Sequence, residues 1–171
     1  MSNIHPPLPK DDVKTIDQAI QKIRFDTIEN LYIFKNGKQI RRFKGTSSDV
    51  SPESFYLLEM KDSVVVHNHP QGTSLSLQDL EAVVKFNAKE LIIVTQAYLF
   101  IVTRPFGGWN IIFDSSFEER YLISSNLAES LLDKEIAKNE ITLFDKEIEK
   151  IHYIWAYLFP FYDVKYKKKA H

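Results

Sequence analysis

Apolar positions along the chain change period several times, and each change marks an element. Val13, Ile16, Ile20 and Ile23 recur at steps of three and four, which predicts a first helix with one apolar stripe, capped by Asp11 or Asp12. Weak alternation over 29–34 and a returning run over 39–43 flank Asn36-Gly37, the pair that a tight hairpin turn requires. Residues 44–54 are rich in turn formers and read as a loop. Residues 55–60 fit a short strand or a turn of helix. Val64-Val65-Val66 predicts a strand buried on both faces. Helical spacing returns in Leu80, Val83 and Val84, predicting a helix over 77–88. Two strands are expected at 91–95 and 98–103, and a last one at 109–113 after the Gly107-Gly108 turn. From about residue 116 the pattern is helical, with segments over 116–138 and 141–159 separated by Asn139-Glu140.

The expected fold is therefore α+β, a mixed sheet flanked by helices with a C-terminal helical hairpin. It divides into a flexible segment over 1–10, where Pro6, Pro7 and Pro9 oppose helix and ladder alike, a domain over 11–115, the helical pair over 116–162 and a basic tail over 163–171. At 171 residues there is room for one ordinary domain. A 44% hydrophobic share opposes disorder over most of the length. Lys plus Arg number 22 against 23 acidic residues, so no bulk positive charge argues for nucleic-acid binding. The chain contains no cysteine, which removes thiol nucleophiles, Cys-zinc sites and disulfides together. With no signal-peptide pattern and no apolar run of membrane length, a cytoplasmic location is expected.

The chemistry concentrates in His67-Asn68-His69-Pro70, five residues, and then Ser76-Leu77-Gln78-Asp79. Histidines at i and i+2 past a buried strand share a side if the extended backbone continues. Asp79, one turn inside the next helix, can reach both. Two imidazoles and a carboxylate with a fourth position open make a catalytic zinc site, where bound water has a pKa of about 7. Such a site also needs a carboxylate to move the water's proton. Ser76 and Asp79 equally fit a capping box, which is compatible with metal ligation. The whole pattern would arise by chance in roughly one such chain in ten thousand.

At these residues the chain resembles the JAMM/MPN+ metallopeptidases, the JAB-domain family, and looks most like the bacterial branch that includes RadC-type and phage- or defence-associated domains. The resemblance covers roughly residues 10–115. It implies an MPN/JAB-like fold, a layered architecture broadly similar to that of nucleobase deaminases. It implies Zn²⁺ held by His67, His69 and Asp79, with Ser76 supporting the oxyanion. It also implies a general base from an earlier strand, for which Glu29 fits best and Glu53 and Glu59 are the fallbacks. The loop from Pro70 to Ser76 is one residue shorter than in the eukaryotic deubiquitinase pattern. The compact spacing from Glu29 to His67 leaves less room for ubiquitin-gripping insertions.

The implied activity is hydrolysis of a peptide or isopeptide bond, with the extended C-terminal tail of a partner protein as substrate and ubiquitin-like proteins among the candidates. The substrate groove is expected beside the residues after Arg42, up to Met60. The alternative is a RadC-like or non-catalytic module that binds a protein or nucleic acid, using the helical pair and the basic tail. No His-Glu-x-x-His is present, and the deaminase Pro-Cys-x-x-Cys is excluded. The aromatic run 154–162 suggests either packing on the domain or a surface for a partner or second copy. His5, His152 and His171 are expected to take no part in the metal site.

Overall fold

The computed structural model describes residues 4–171, so the first three residues of the segment read as flexible lie outside the described residues. The elements run α1 (Ile16–Ile23), β1 (Asn30–Lys35), β2 (Lys38–Lys44), α2 (Ser54–Leu57) continuing into a 3₁₀ turn (Leu58–Met60), and β3 (Val64–Asn68). They continue with α3 (Leu77–Lys85), β4 (Glu90–Val94), β5 (Tyr98–Thr103), α4 (Ser115–Ala137), α5 (Leu143–Leu158), a second 3₁₀ turn (Phe159–Tyr162) and β6 (Lys165–Ala170). The class is α+β with a mixed six-stranded sheet in the order β2-β1-β3-β4-β5-β6. Only β3 and β4 run parallel, joined by α3; every other neighbouring pair is antiparallel.

The sheet separates two apolar clusters by side-chain alternation. Leu31, Ile33, Val65, Leu91, Ile93, Phe100 and Val102 face α3, α4 and α5. Tyr32, Phe34, Val66, Ile92, Val94 and Leu99 face α1. Because β3 and β4 are covered on both faces, their sequences are nearly continuous apolar runs, as a central parallel pair requires.

The helix ends follow local chemistry. Thr15 caps α1 through a reciprocal box with Gln18, so the helix starts later than Asp11 or Asp12 would place it. Asp11 instead joins Lys22 at 2.9 Å, Arg42 at 3.0 Å and the Tyr32 hydroxyl at 2.8 Å. The Lys22 and Tyr32 hydrogen bonds and the Arg42 charge hold its carboxyl down at about 2, against the opposing effect of burial. That cluster fastens the proline-rich segment to the edge of β2. Leu8 N–H donates to the Arg42 carbonyl and His5 N–H to the Ser51 carbonyl, both at 2.9 Å. The lead-in is thus hydrogen-bonded to Arg42 of β2 through Leu8 and Pro9 and to Ser51 through His5.

The C-terminal part departs further from expectation. Residues 165–170, read as a solvated basic tail, form edge strand β6 against β5. Lys165, Lys167 and Lys169 are exposed on it, as suits an edge that must not pair with another chain. Residues 109–113 form no strand, because β6 occupies that flank of β5. Trp109 is held there by its indole N–H on the Ala88 carbonyl. Residues 55–60 are helical turns rather than a strand.

The helical hairpin packs on the sheet. Trp155, Leu158 and Phe159 are fully buried in the larger cluster, while Phe161 stays exposed. The indole of Trp155 donates to the Leu75 carbonyl at 2.7 Å. The Tyr166 hydroxyl on β6 lies 2.7 Å from Ser74 Oγ and 2.8 Å from His152 Nδ1. Both contacts brace the loop between β3 and α3. Burial and the Lys168 charge push the His152 imidazole down to about 4, with Glu149 opposing.

Two predictions follow from this brace. Trp155→Phe replaces the indole by a smaller ring, leaving a cavity and orphaning the Leu75 carbonyl, and should cost about 2–4 kcal/mol in urea unfolding. A histidine depressed below its unfolded value binds fewer protons when folded, so its contribution is present above about pH 6.5 and is lost as pH falls towards 4. His152→Gln should therefore lose less stability than the wild type between pH 7 and pH 4.5, read by thermal melts.

Candidate metal centre

The site lies at the end of β3, where the strand leaves the sheet beside the N-terminus of α3. His67 is the fourth residue of β3 and shares a face with Val65. Pairing of Leu31 with His67 places it across from the start of β1, immediately after Glu29. His69 follows the strand, and its N–H still donates to the Val94 carbonyl at 2.9 Å, prolonging the extended run by one residue. The i, i+2 histidines therefore do share a side, with ring centroids 4.7 Å apart.

Both rings are fixed through Nδ1. His67 Nδ1 lies 2.9 Å from the Asn30 carbonyl, and His69 Nδ1 lies 3.0 Å from the Ser74 carbonyl. A carbonyl only accepts, so each Nδ1 carries a hydrogen, and in the neutral ring the Nε2 atom turned toward the cavity is the one free to ligate. This is how metal-binding imidazoles are oriented by their outer hydrogen bonds.

Both carboxylates approach the imidazoles. Glu29 Oε2 is 3.5 Å from His67 Nε2, Asp79 Oδ1 is 3.9 Å from His67 Nε2, and Asp79 Oδ2 is 3.4 Å from His69 Nε2. One ligand atom from each of Glu29, His67 and His69 falls within 4.8 Å of the others, a group that could hold a metal ion. Two neutral imidazole nitrogens with carboxylate oxygens form a donor set that suits a divalent transition metal.

The electrostatics match this crowding. Burial pushes the Glu29 carboxyl up to about 7, reinforced by the Asp79 charge and opposed by His69. Burial beside a second imidazole pushes His67 down to about 4. His69 is raised despite burial, because Asp79 hydrogen-bonds and attracts its charged form. Asp79 is held well below the usual carboxylate range by His69, His67 and Ser76, which outweigh its burial.

Glu29 is set by backbone contacts on both sides. Its N–H donates to the Thr46 carbonyl at 2.7 Å, and Gly45 N–H donates to its carbonyl at 2.9 Å. Gly45 is required here: a Cβ would sit 1.9 Å from the Asp49 carbonyl oxygen, where the 46–49 turn folds back. The fallback carboxylates lie elsewhere. Glu59 forms a two-point pair with Arg41 at 2.6 and 3.0 Å, and Glu53 is exposed beside α2.

Ser76 caps α3. Its hydroxyl donates to Asp79 Oδ2 at 2.6 Å and accepts the Asp79 N–H at 3.1 Å, while its own N–H donates to Asp79 Oδ2 at 2.7 Å. The capping box and the site are thus the same bonds, and they aim Asp79 at the histidines. The Ser76 hydrogen is committed to Asp79, so donation to an oxyanion would require that bond to open. His5, His152 and His171 lie outside the site; His5 Nδ1 accepts the Ser51 N–H, and His171 Nε2 lies 2.9 Å from the Thr95 carbonyl.

Sequence reasoning passed over Asn68, the residue between the two histidines. Facing away from them, its side chain is buried and accepts the Asn30 N–H at 2.7 Å while donating to the Ile28 carbonyl at 3.0 Å and the Asp26 carbonyl at 3.4 Å. It fastens the segment carrying Glu29 to the strand carrying the histidines. The available signal was an amide at a position certain to point to the opposite face of a buried strand, where an unpaired polar group would be costly.

These groups line a cavity of about 440 Å³, bounded also by residues 48–52, Gln71, Thr73 and Gln78. Comparison of the chain with protein-family models, with characterised proteins and with solved structures gives no match in any of the three.

Asn68→Ala should destabilise the fold by about 1–3 kcal/mol, since three main-chain groups lose a buried partner. It should also loosen Glu29 relative to His67, read as line broadening of the Glu29 and Asn30 amide resonances. Unchanged stability and sharp resonances would show that the amide does not hold the segment.

Proposed function

We propose that the protein is a zinc-dependent metallopeptidase of the JAMM type, hydrolysing a peptide or isopeptide bond. One observation carries the reading: the Nε2 atoms of His67 and His69, with Nδ1 of each hydrogen-bonded to a carbonyl, gather with Glu29 into a group that could hold an ion, and Asp79 lies within 4 Å of both rings. A structural histidine pair has no need of an additional half-buried carboxyl, Glu29, pushed up to about 7 by burial and the Asp79 charge beside it.

In this reading His67, His69 and Asp79 hold the ion, which, when bound, supplies Lewis acidity that makes water nucleophilic at neutral pH. Glu29 accepts the proton from the attacking water and returns it to the leaving amine. A carboxyl titrating near 7 can do both, because neither protonation state is strongly favoured at working pH. The buried walls limit competing water, and the capping box keeps Asp79 from swinging away. The lysines Lys165, Lys167 and Lys169 point to the opposite face of the sheet, with Leu99 and Ile101, so the site makes no use of them.

Metal analysis by mass spectrometry should find one zinc per chain in the wild type and a large loss in His69→Ala. Little zinc in either, even after reconstitution, would reduce the motif to a capped helix beside two ordinary histidines. Glu29→Ala should keep the zinc and lose hydrolysis of a peptide library by 10²-fold or more, as loss of a general base does. Full turnover in that variant would remove Glu29 from the mechanism.

A further inference from the structure

One wall of the cavity is fastened from outside by the N-terminal segment. Residues 48–52 line the cavity together with Glu29 and the histidines, and none of the five belongs to a helix or a strand. No ladder therefore holds them. Within the turn, Thr46 N–H donates to the Asp49 carbonyl at 2.8 Å and the Ser51 hydroxyl to Asp49 Oδ1 at 2.6 Å. Val50 packs against the larger apolar cluster. The outer attachment is His5, whose N–H donates to the Ser51 carbonyl at 2.9 Å while its Nδ1 accepts the Ser51 N–H at 3.0 Å. Both main-chain polar groups of Ser51 are thus satisfied by one residue.

The segment has a second attachment. Leu8 N–H donates to the Arg42 carbonyl at 2.9 Å, and Arg42 Nε donates to the Pro9 carbonyl at 2.6 Å. Arg42 and Ser51 flank the turn, so the two attachments span it. Between His5 and Leu8 stand only Pro6 and Pro7. Proline has no N–H to leave unpaired, and its φ is already fixed. The span between the attachments is therefore stiff and loses little conformational freedom on ordering.

We propose that His5 is a positioning residue, holding the 48–52 wall through Ser51 at the place where a substrate lies against it. The substrate's placement rests on the metallopeptidase reading, while the clip is a property of the fold. Glu29 keeps a separate tie through Asn30 to Asn68, and His67, His69 and Asp79 stand on β3 and α3 or beside them. Loosening the wall accordingly weakens substrate binding and spares the chemical step.

Two variants of the full chain test this. His5→Asn keeps an acceptor on Cγ, where the ring carries Nδ1; His5→Phe keeps a ring and removes the acceptor. Amide hydrogen exchange, read by NMR, needs neither metal nor activity. In His5→Phe the Ser51 and Thr46 amides should exchange roughly tenfold to a hundredfold faster. Val66 and Ile92, in the buried strands, should keep their wild-type rates. His5→Asn should exchange like the wild type throughout. Unchanged Ser51 and Thr46 rates in His5→Phe, or equal acceleration in both variants, would overturn the clip. Acceleration that extends to Val66 and Ile92 would make His5 a general stabilising residue and overturn it too.

The second measurement uses one peptide that the wild type hydrolyses. His5→Phe should raise KM by about tenfold and leave kcat within about twofold, with His5→Asn restoring KM. A fall in kcat at constant KM would remove the wall from substrate binding and overturn the proposal. If the wild type hydrolyses no peptide, the peptidase reading fails, and the exchange rates alone decide whether His5 holds the wall.

Discussion

Everything at the site depends on hydrogen bonds made by the sides of the imidazoles that face away from it. An unrestrained histidine can present either nitrogen and can rotate. Here the Asn30 and Ser74 carbonyls accept from Nδ1 and leave one orientation for each ring. Those carbonyls are themselves fixed, Asn30 by its place at the start of β1 and Ser74 by a loop braced from α5 and β6. Rigidity therefore passes from the sheet outward to the functional atoms.

The two carboxylates are positioned by different devices. Asp79 is aimed by the same Ser76 bonds that start α3, so helix initiation and site geometry are one event. Glu29 has no helix to hold it. It sits between a hairpin and a buried strand, tied to Thr46 and Gly45 on one side and, through its neighbour Asn30, to Asn68 on the other. Burial without a cationic partner at contact distance is what raises its carboxyl, while Asp79, in contact with His69, moves the opposite way. Two acids a few ångströms apart thus have opposite protonation preferences, a division of labour that environment alone creates.

Much of this was legible in the chain because it is local. The Asn36-Gly37 hairpin, the valine run of β3, the Ser76–Asp79 box and the i, i+2 histidines all depend on neighbours within a few residues. What escaped depends on distant partners. The basic run 165–170 has charged-tail composition, and only the free flank of β5 turns it into a strand. Residues 109–113 have strand composition and lose that flank to it. The lead-in is rich in proline, yet His5 before the prolines and Leu8 between them still donate to Ser51 and Arg42.

The brace on the β3–α3 loop has a consequence for how the molecule assembles. Tyr166 meets Ser74 across 92 residues of chain, and Trp155 meets Leu75 across 80. Closing loops of that length is slow compared with forming a hairpin or a capped helix. The histidines and their flanking strands can be in place while the loop that orients His69 is still unsupported. A chain leaving the ribosome exposes its histidine–aspartate motif about a hundred residues before the strand that braces it has been made. The ordered geometry of His67, His69 and Asp79 is thus a late product of folding, reached only once the distant brace has closed.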